Sequence, residues 1–514
     1  MQRVIQIGAV LIGLRVALQV RASLATLLVL IALSGCTTVP PLPLDEQDAS
    51  CLESYTELDR AVSGQGWHDG AAYRLADFPW LRSTRLMASL ADELNADQDA
   101  WRSWLGKMAA TDLLARRYEL ANLHDQVPYA APIETRLNEL RDCAAQLNNA
   151  VLASDAHREA VRAAADVPDD YRRSWRVLGA YPITRLFVLY GVDNLHAEQS
   201  RWLSSPHELA GDAAWVRYIG QDAAAAPMPD HARATSQNTD ALGYPRLSAD
   251  DLVHVFQRHA PIWRIETATD ADRIGSPKLT NARSIEVDTS APAEFRYVSY
   301  TRFGGQVRMQ LNYMVWFPER PRDGFFDLLG GHLDGAIWRV TLDETGNALA
   351  AESLHVCGCY YMVFPGADVS VRPRQRGGEP VFVGPPLPGL LPGERFELTR
   401  ASGSHYLVGV RASNADADVA LPLHHANQLR SLPGSDGRRY SLYEPDGLVP
   451  GSERRERYLL WTMGVPSPGA MRQSGRHAIA FAGRRHFDDP WLLEERLRLR
   501  ERDDGAAATE DSEE

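Results

Sequence analysis

Residues 295–317 read FRYVSYTRFGGQVRMQLNYMVWF, and their pattern gives the best evidence for strands in the second half of the chain. Its central Gly304-Gly305 predicts a two-residue hairpin turn, because such turns need positive φ. The turn pairs Arg302 with Val307, Tyr300 with Met309, Val298 with Leu311 and Arg296 with Tyr313. One face is then mainly Val, Tyr, Met and Leu, and the other is polar, which supports this register. Tyr297 and Arg308 could receive an anion or simply face solvent.

A second hairpin is predicted over residues 336–356, AIWRVTLDETGNALAAESLHV, with its turn at Gly346. With Asp343 opposite Asn347, residues 331–334 fall opposite residues 356–359. This register puts the following residues on one apolar face: Trp338, Val340, Leu342, Leu354 and Val356. It puts these on the other face: Arg339, Thr341, His355, Cys357 and Cys359. His332 and Asp334 then point to the apolar side, unless a bulge at Gly335 swaps them.

The first part of the chain has helical patterning instead. Apolar residues recur at spacings of three and four around Trp101 and Trp104, and again from Ile133 to Leu147. Residues 186–190, LFVLY, are apolar on every side, so we expect them to be packed in the middle of a helical bundle. Ser248 and Asp251 predict a capped helix start, and a closing helix is expected from Asp489 to Arg500.

The N-terminal segment has the features of a secretory signal. Arg3, Arg15 and Arg21 precede a short apolar run, Leu24 to Leu33, and no acidic residue occurs before Asp45. A run of this length is too short to cross a bilayer, which takes about 20 apolar residues. The sequence Leu33-Ser34-Gly35-Cys36 resembles the lipobox of bacterial lipoproteins, whose cysteine is lipid-modified and becomes the first residue of the mature chain.

The resemblance to bacterial lipoproteins covers residues 1–36 and implies a location. It departs from the usual pattern in its long apolar segment before the core, so that translation starts later, the signal is extended, or residues 4–33 form a membrane helix. Thr37 stands where the family's aspartate would retain the protein at the inner membrane. The resemblance therefore implies a lipid-anchored protein of the outer membrane that faces the periplasm.

These features together predict an α+β protein with several parts. We expect a signal peptide over 1–35, a lipidated cysteine with a proline-rich tether over 36–50, a helical domain over 51–220, a linker over 221–247, a β-rich domain with flanking helices over 248–500 and a disordered acidic tail over 501–514. Many short strands between Pro- and Gly-rich loops indicate a sandwich or an irregular barrel. The formal net charge of −13 argues against a general surface for nucleic acid or anionic membranes.

The remaining cysteines define the candidate sites. Cys51 and Cys143 lie in the helical part, where they form either a disulfide or two separate buried thiols. Residues 353–361, SLHVCGCYY, admit four interpretations: a metal site, a redox pair, a nucleophile or plain packing. A metal site, for which zinc is the option, would use these residues: His332, Asp334, His355, Cys357 and Cys359. A catalytic site would use Cys359 with His355 or His332.

Two functions remain open from the sequence, which contains no phosphate loop, no Gly-x-Ser-x-Gly and no His-Glu-x-x-His. The first is a non-enzymatic envelope component without a cofactor, attached to the membrane by its lipid anchor, that binds an envelope protein, peptidoglycan or a lipid fragment. The second is a thiol- or metal-dependent hydrolase or transferase with its site on the hairpin of residues 331–359. No nucleic-acid partner is expected.

Overall fold

The computed structural model describes residues 45–94, 97–123, 132–205, 207–209, 211–221, 238–280, 284–374 and 377–500. Leu44–Glu514 form one compact unit. The predicted signal, Cys36, the acidic tail and most of the predicted linker lie outside the described residues. Helices dominate the first part and strands the second, so the α+β class is confirmed.

Several helices within the described residues begin at a polar side chain that caps them. They are α1 (Glu46–Gln65), α2 (Arg85–Leu90), α3 (Gln98–Asn122), α4 (Ile133–Leu152), α5 (Asp155–Ala164), α6 (Arg173–Leu178), α7 (Tyr181–Ser204), α8 (Ala249–His259) and α9 (Arg457–Leu460). The Asp45 carboxylate accepts the Asp48 amide at 2.8 Å at the start of α1. The Ser248 hydroxyl accepts the Asp251 amide at 3.1 Å at the start of α8, as its sequence predicts.

A disulfide and a group of buried ions hold the helical part together. Cys51 on α1 and Cys143 on α4 are joined by a disulfide, with their Cα atoms 5.2 Å apart. Arg82 is fully buried and donates to Asp112 at 2.9 Å and to Glu119 at 2.8 Å, both on α3. Burial alone would raise the pKa of Glu119, but Arg82 and its neighbour Arg116 lower it to about 2.

The strands are β1 (Tyr73–Arg74), β2 (Arg82–Ser83), β3 (Ala214–Gly220), β4 (Ile262–Thr267), β5 (Ser276–Leu279), β6 (Ile285–Asp288), β7 (Glu294–Phe303), β8 (Gln306–Arg320), β9 (Gly331–Leu342), β10 (Ala348–His355), β11 (Met362–Pro365), β12 (Val369–Val371), β13 (Phe382–Val383), β14 (Arg395–Arg400), β15 (Leu407–Ser413), β16 (Val419–Leu421), β17 (Leu423–His425), β18 (Leu432–Pro433), β19 (Arg439–Tyr440) and β20 (Leu497–Leu499). The prediction of a closing helix over residues 489–500 is wrong, because residues 497–499 pair with β12 as a strand.

Two larger sheets share a core. The seven-stranded sheet has the order β13-β11-β10-β9-β8-β7-β17, and the five-stranded sheet has the order β15-β14-β4-β3-β16. Trp338 and Val340 of the first sheet lie in one apolar cluster with Trp263 and Leu398 of the second. In the described residues these sheets do not close into a barrel, so they pack as a sandwich.

The first hairpin has the predicted register. Arg302 pairs with Val307, and Val298 pairs with Leu311, around Gly304 at a φ of 64°. Its polar face is not solvated, because Gln310 and Asn312 are buried under the C-terminal loops. Polar side chains on that face bond to each other across strands β8, β9 and β10 instead of to solvent.

The second hairpin differs from its prediction by one residue. Its turn keeps Asp343 against Asn347, but the register shifts between Ala348 and Ala350. This bulge at Leu349 allows Leu349 and Ala350 to enter the same core cluster, although they are adjacent in the chain. The predicted faces are therefore wrong beyond the bulge.

The shift changes the neighbours of His355. His355 pairs with Ala336 and so shares a face with Asp334 and Trp338, whereas Leu354 faces the opposite core with Ile337. The bulge needed to bring His355 and Asp334 together is at Leu349 and not at Gly335.

Helix α7 is also placed differently from its prediction. The apolar residues of 186–190 are not in a bundle interior: the Phe187 side chain is 75% exposed and Tyr190 is also exposed. Gln199 is the buried residue of this helix. No helix within the described residues is long and apolar enough to cross a membrane.

Candidate functional site

The end of hairpin β9–β10 holds a buried chain of carboxylates and histidines. His355 is 2% exposed, and its Nδ1 lies 3.3 Å from Asp334 Oδ1. His405, between β14 and β15, places its Nδ1 2.8 Å from the second Asp334 oxygen and its Nε2 3.6 Å from Asp272. His332 is exposed and stays apart from this chain, with its Nε2 2.6 Å from the carbonyl oxygen of Ile285.

His405 carries the positive charge of this chain. Burial alone would lower the pKa of His405, but the carboxylates of Asp272 and Asp334 raise it. The pKa of Asp334 is held well below its usual range, because His355 and His405 outweigh its burial. His355 itself is neutral, since burial lowers its pKa more than Asp334 raises it. The ring of Phe317 stacks on His405 with centroids 4.0 Å apart.

Backbone strain concentrates beside this chain. Leu333, Tyr360 and His405 have φ values of 58°, 60° and 53°, which are unusual for residues with a Cβ. In the described residues, the other two non-glycine residues with positive φ are Ala180 and Ser467. Strain of this kind persists where surrounding contacts fix the backbone, and it clusters at functional sites. This end of the sheet is therefore a candidate functional region.

The two cysteines of the hairpin do not face the histidine chain. Cys357 is buried in the apolar core with Leu354 and Val356, and both Cys357 and Cys359 are free thiols. The Cys359 amide donates to Cys357 Sγ at 3.4 Å. Contact with Cys357 and burial raise the pKa of the Cys359 thiol well above its usual value. A raised pKa suppresses the thiolate, which is the reactive form of cysteine.

The predicted metal ligands are split between these surroundings. Asp334 and His355 lie together, whereas Cys357 lies in the opposite core and His332 bonds to Ile285. Across the described residues, no group of three or more His, Cys, Asp or Glu side chains could hold a metal ion.

An aromatic cluster separates the histidine chain from a cavity. The rings of Tyr360 and Tyr406 lie 4.5 Å apart, and Tyr360 lies 4.9 Å from the ring of His355. Arg320 donates to both phenol oxygens, at 3.3 Å for Tyr360 and 2.9 Å for Tyr406. Trp202 of α7 stacks on Tyr406 at 5.0 Å. This cluster ties α7 to the strained end of the sheet.

The cavity has a volume of about 730 Å³ and lies between α7 and the hairpin end. Residues 184–199 of α7 form one wall, and residues 358–361 with Tyr406 form another. Leu329 and residues 379–381, 456–462 and 478–485 complete the lining, which is largely aliphatic and aromatic. An apolar cavity with few polar groups is the usual form of a small-molecule site.

The polar groups of the cavity include an acceptor without a partner and acidic side chains with shifted pKa values. Gln199 is 1% exposed, and its side-chain oxygen Oε1 has no hydrogen-bond partner among the described residues. Burial raises the pKa of Glu456 to about 7 and also raises the pKa of Glu379. Burial lowers the pKa of His196 to about 4, so this ring is neutral at pH 7. Arg485 is already paired with Glu495 at 2.6 Å.

Sequence reasoning missed this cavity, because the residues that form it are far apart in the chain. Gln199 lies in a polar stretch of α7 that also contains Asn194 and Glu198, so nothing local in the sequence marks it as buried. His405 and Asp272 were missed for the same reason: 133 residues separate them in the sequence, and only the sandwich brings them together.

No family model matches this chain, and comparisons with curated proteins and with solved structures gave no match either. Its function is therefore argued from the geometry of the site.

Proposed function

We propose that this chain is a lipid-anchored envelope protein that binds an amphipathic small molecule in the cavity beside α7. The ligand has an apolar body and a head group that donates a hydrogen bond. The proposed lipid anchor of the protein is Cys36, because residues 33–36 resemble a lipobox. The proposed location of the protein is the periplasmic side of the outer membrane.

The buried, unpartnered oxygen of Gln199 carries this proposal. A buried acceptor without a partner costs about 1–3 kcal/mol, and a ligand that donates a hydrogen bond to it would recover that cost. Gln199 lines the cavity, and the surrounding walls are largely apolar. The hydrocarbon part of the ligand would fill the apolar space, and its hydroxyl or amine would donate to Oε1 once the Gln199 side chain, which is covered by protein, turns toward the cavity.

The acidic groups decide the charge of the head group. Glu379 and Glu456 both line the cavity, and the pKa of each is raised by burial. With Glu198, three acidic side chains line the cavity, and Arg485 of the lining is occupied by Glu495, so a ligand carboxylate would have no unoccupied arginine among the described residues there. A neutral or cationic head therefore fits better than an anionic one.

The thiol- or metal-dependent hydrolase has less support. The Cys359 thiol has a raised pKa, and the proposed ligands of a metal ion face different parts of the core. His355 Nε2 is unpartnered, but Tyr360 lies between its ring and the cavity. A binding role is better supported than hydrolysis.

Titration of the full chain with the neutral fluorophore N-phenylnaphthylamine tests the binding proposal. Val192 lines the cavity, so Val192→Trp should fill it and abolish the fluorescence increase. Val253 is an exposed valine on α8 outside the cavity, and Val253→Trp should bind as the natural chain does. Equal binding by the natural chain and Val192→Trp would refute the site.

Displacement of the fluorophore tests the head-group preference. Decanol should displace it at a lower concentration than decanoate or the methyl ether of decanol, by roughly tenfold for one hydrogen bond. Gln199→Leu should remove the preference for decanol over its ether without lowering the stability of the protein, because it removes an unpaired polar group. A preference that survives Gln199→Leu would assign the donor contact elsewhere.

Fractionation tests the location. Cys36→Ala should leave an uncleaved or mis-sorted precursor, and fractionation of this variant with the outer membrane like the natural chain would rule out the lipobox.

A further inference from the structure

One exposed surface combines apolar and aromatic side chains from helices α6, α7 and α9. Its members are Val177, Leu178, Ile183, Leu186, Phe187, Tyr190, Tyr458 and Leu459, all exposed. Leu178 is 76% exposed and Tyr458 is 67% exposed. On α7, Ile183, Phe187 and Tyr190 follow one another at helical spacing and form one stripe. We name these eight residues the α6–α9 surface.

Close contacts make the surface continuous. Arg176 Nε on α6 donates to the carbonyl oxygen of Met463, just after α9, at 2.7 Å. A Cβ atom on Gly179, between α6 and α7, would lie 2.5 Å from Thr462. The exposed Phe325 extends the same side, because Arg455 donates to its carbonyl oxygen at 2.7 Å and stacks over its ring.

Arginines surround this surface although the whole chain is acidic. Residues 171–192 contain four arginines and no Asp or Glu, and residues 454–463 contain three arginines and one glutamate. Arg172 and Arg173 are exposed, and Arg185, Arg455 and Arg457 are partly exposed. Asp323 and Asp327 flank Phe325 and are the acidic groups of that loop. The local excess of positive charge contrasts with the net −13 of the chain.

We infer that the α6–α9 surface docks on a lipid bilayer that carries anionic head groups. Aromatic and aliphatic side chains with an arginine rim match the interface of a bilayer, where rings sit at head-group level and guanidinium groups bind phosphate. The net charge of −13 belongs to the whole chain, whereas residues 171–192 and 454–463 each contain more arginines than acidic residues. The rim supplies the charge complementarity that an apolar face alone lacks.

The surface also borders the cavity. Phe187 and Leu459 belong to both, so the cavity opens beside the docked face. A ligand dissolved in the bilayer would reach the cavity without crossing water. The docking itself does not depend on the proposed ligand, and it is measured separately.

Photo-crosslinking of the full chain tests the docking. The full chain is mixed with phosphatidylcholine vesicles that are prepared with and without phosphatidylglycerol. A photoreactive benzoylphenylalanine replaces Phe187, and the control replaces Val253, which is 52% exposed on α8. The position at Phe187 should form several-fold more lipid adduct than the position at Val253, and phosphatidylglycerol should raise that yield.

Charge removal separates docking from mere proximity to the membrane. Arg173→Gln and Arg185→Gln should each lower the phosphatidylglycerol-dependent yield at Phe187 by about fivefold, and leave the yield in pure phosphatidylcholine unchanged. Equal adducts at Phe187 and Val253, or a yield indifferent to phosphatidylglycerol, would overturn the inference. A protein adduct in place of lipid at Phe187 in intact cells would also overturn it.

Discussion

His405 is the residue on which the folded end of the sandwich depends most. It holds a buried positive charge between Asp272 and Asp334, whose carboxylates would otherwise repel each other. Breaking a buried ion pair by removing one partner leaves an uncompensated charge, which is far more costly than losing a surface pair. Asp334 is also the partner of His355, so the same charge holds the hairpin end in place.

His405→Gln should lower the free energy of unfolding by about 3–5 kcal/mol at pH 6. Urea unfolding followed by circular dichroism measures this, and His332→Gln on the same hairpin is the control because His332 is exposed. A loss no larger than that of His332→Gln would contradict the buried cation.

The difference between His405→Gln and the natural chain should depend on pH. The pKa of His405 is raised above 6.5 in the folded state, so its stabilising charge is complete below pH 6.5. That contribution is lost as the pH rises through the folded pKa. The free energies of unfolding of the two chains should therefore converge as the pH rises above the folded pKa. A difference that grows with pH would mean that the pKa of His405 is lowered in the folded state.

Among the secondary-structure elements, the features that the sequence predicts correctly are those set by local turn residues. The register of the first hairpin follows from Gly304-Gly305 and the alternation around it, both of which are local. The bulge at Leu349 is not local: the turn closes as its sequence predicts, and the extra residue lets Leu349 and Ala350 both enter one core cluster. One residue then decides whether His355 meets Asp334.

Helix α7 is a second element whose packing the sequence does not predict. Its apolar run predicts burial, because hydrophobicity in sequence does not say which surface will cover a side chain. The structure leaves Phe187 and Tyr190 exposed and buries Gln199. The candidate site thus depends on how elements pack, which one sequence does not reveal.

The disulfide between α1 and α4 gives a prediction at this scale. Cys51 and Cys143 close a loop with a sequence separation of 92. In the chain-entropy account a loop of this size stabilises by about 4–5 kcal/mol. Cys51→Ser with Cys143→Ser should lower the urea midpoint markedly, and a reductant should lower the midpoint of the natural chain to that of the double variant while leaving the double variant unchanged. If the reductant leaves the midpoint of the natural chain unchanged, the disulfide contributes nothing.

At the scale of the whole molecule, the helical and strand-rich parts are joined by buried polar contacts. Asp69 of the helical part pairs with Arg430 at 2.5 Å and accepts from Gln473 at 3.1 Å. Tyr171 donates to the carbonyl oxygen of Ala480 at 2.7 Å. These contacts explain why Leu44–Glu514 form one compact unit although the sequence predicts a linker between two parts.

Limited proteolysis tests how the two parts are held. Cleavage should begin within residues 221–247, whose small and polar composition favours proteases. The two fragments should still elute together in gel filtration, because the contacts of Asp69 and Tyr171 cross the cut, and Arg430→Leu should weaken this association. First cleavage within 98–122 or 295–317, or immediate separation of the fragments, would contradict this organisation.

A crystal of the full chain, soaked with a terminally brominated decanol, shows whether the cavity between α7 and the hairpin end holds an amphipathic ligand. The anomalous difference map should show bromine among the apolar residues of the cavity, with the hydroxyl end of the ligand at Gln199 Oε1. The same soak of Val192→Trp should show no bromine there. If the natural chain shows no bromine in this cavity at a ligand concentration that displaces N-phenylnaphthylamine in solution, the cavity is not the binding site.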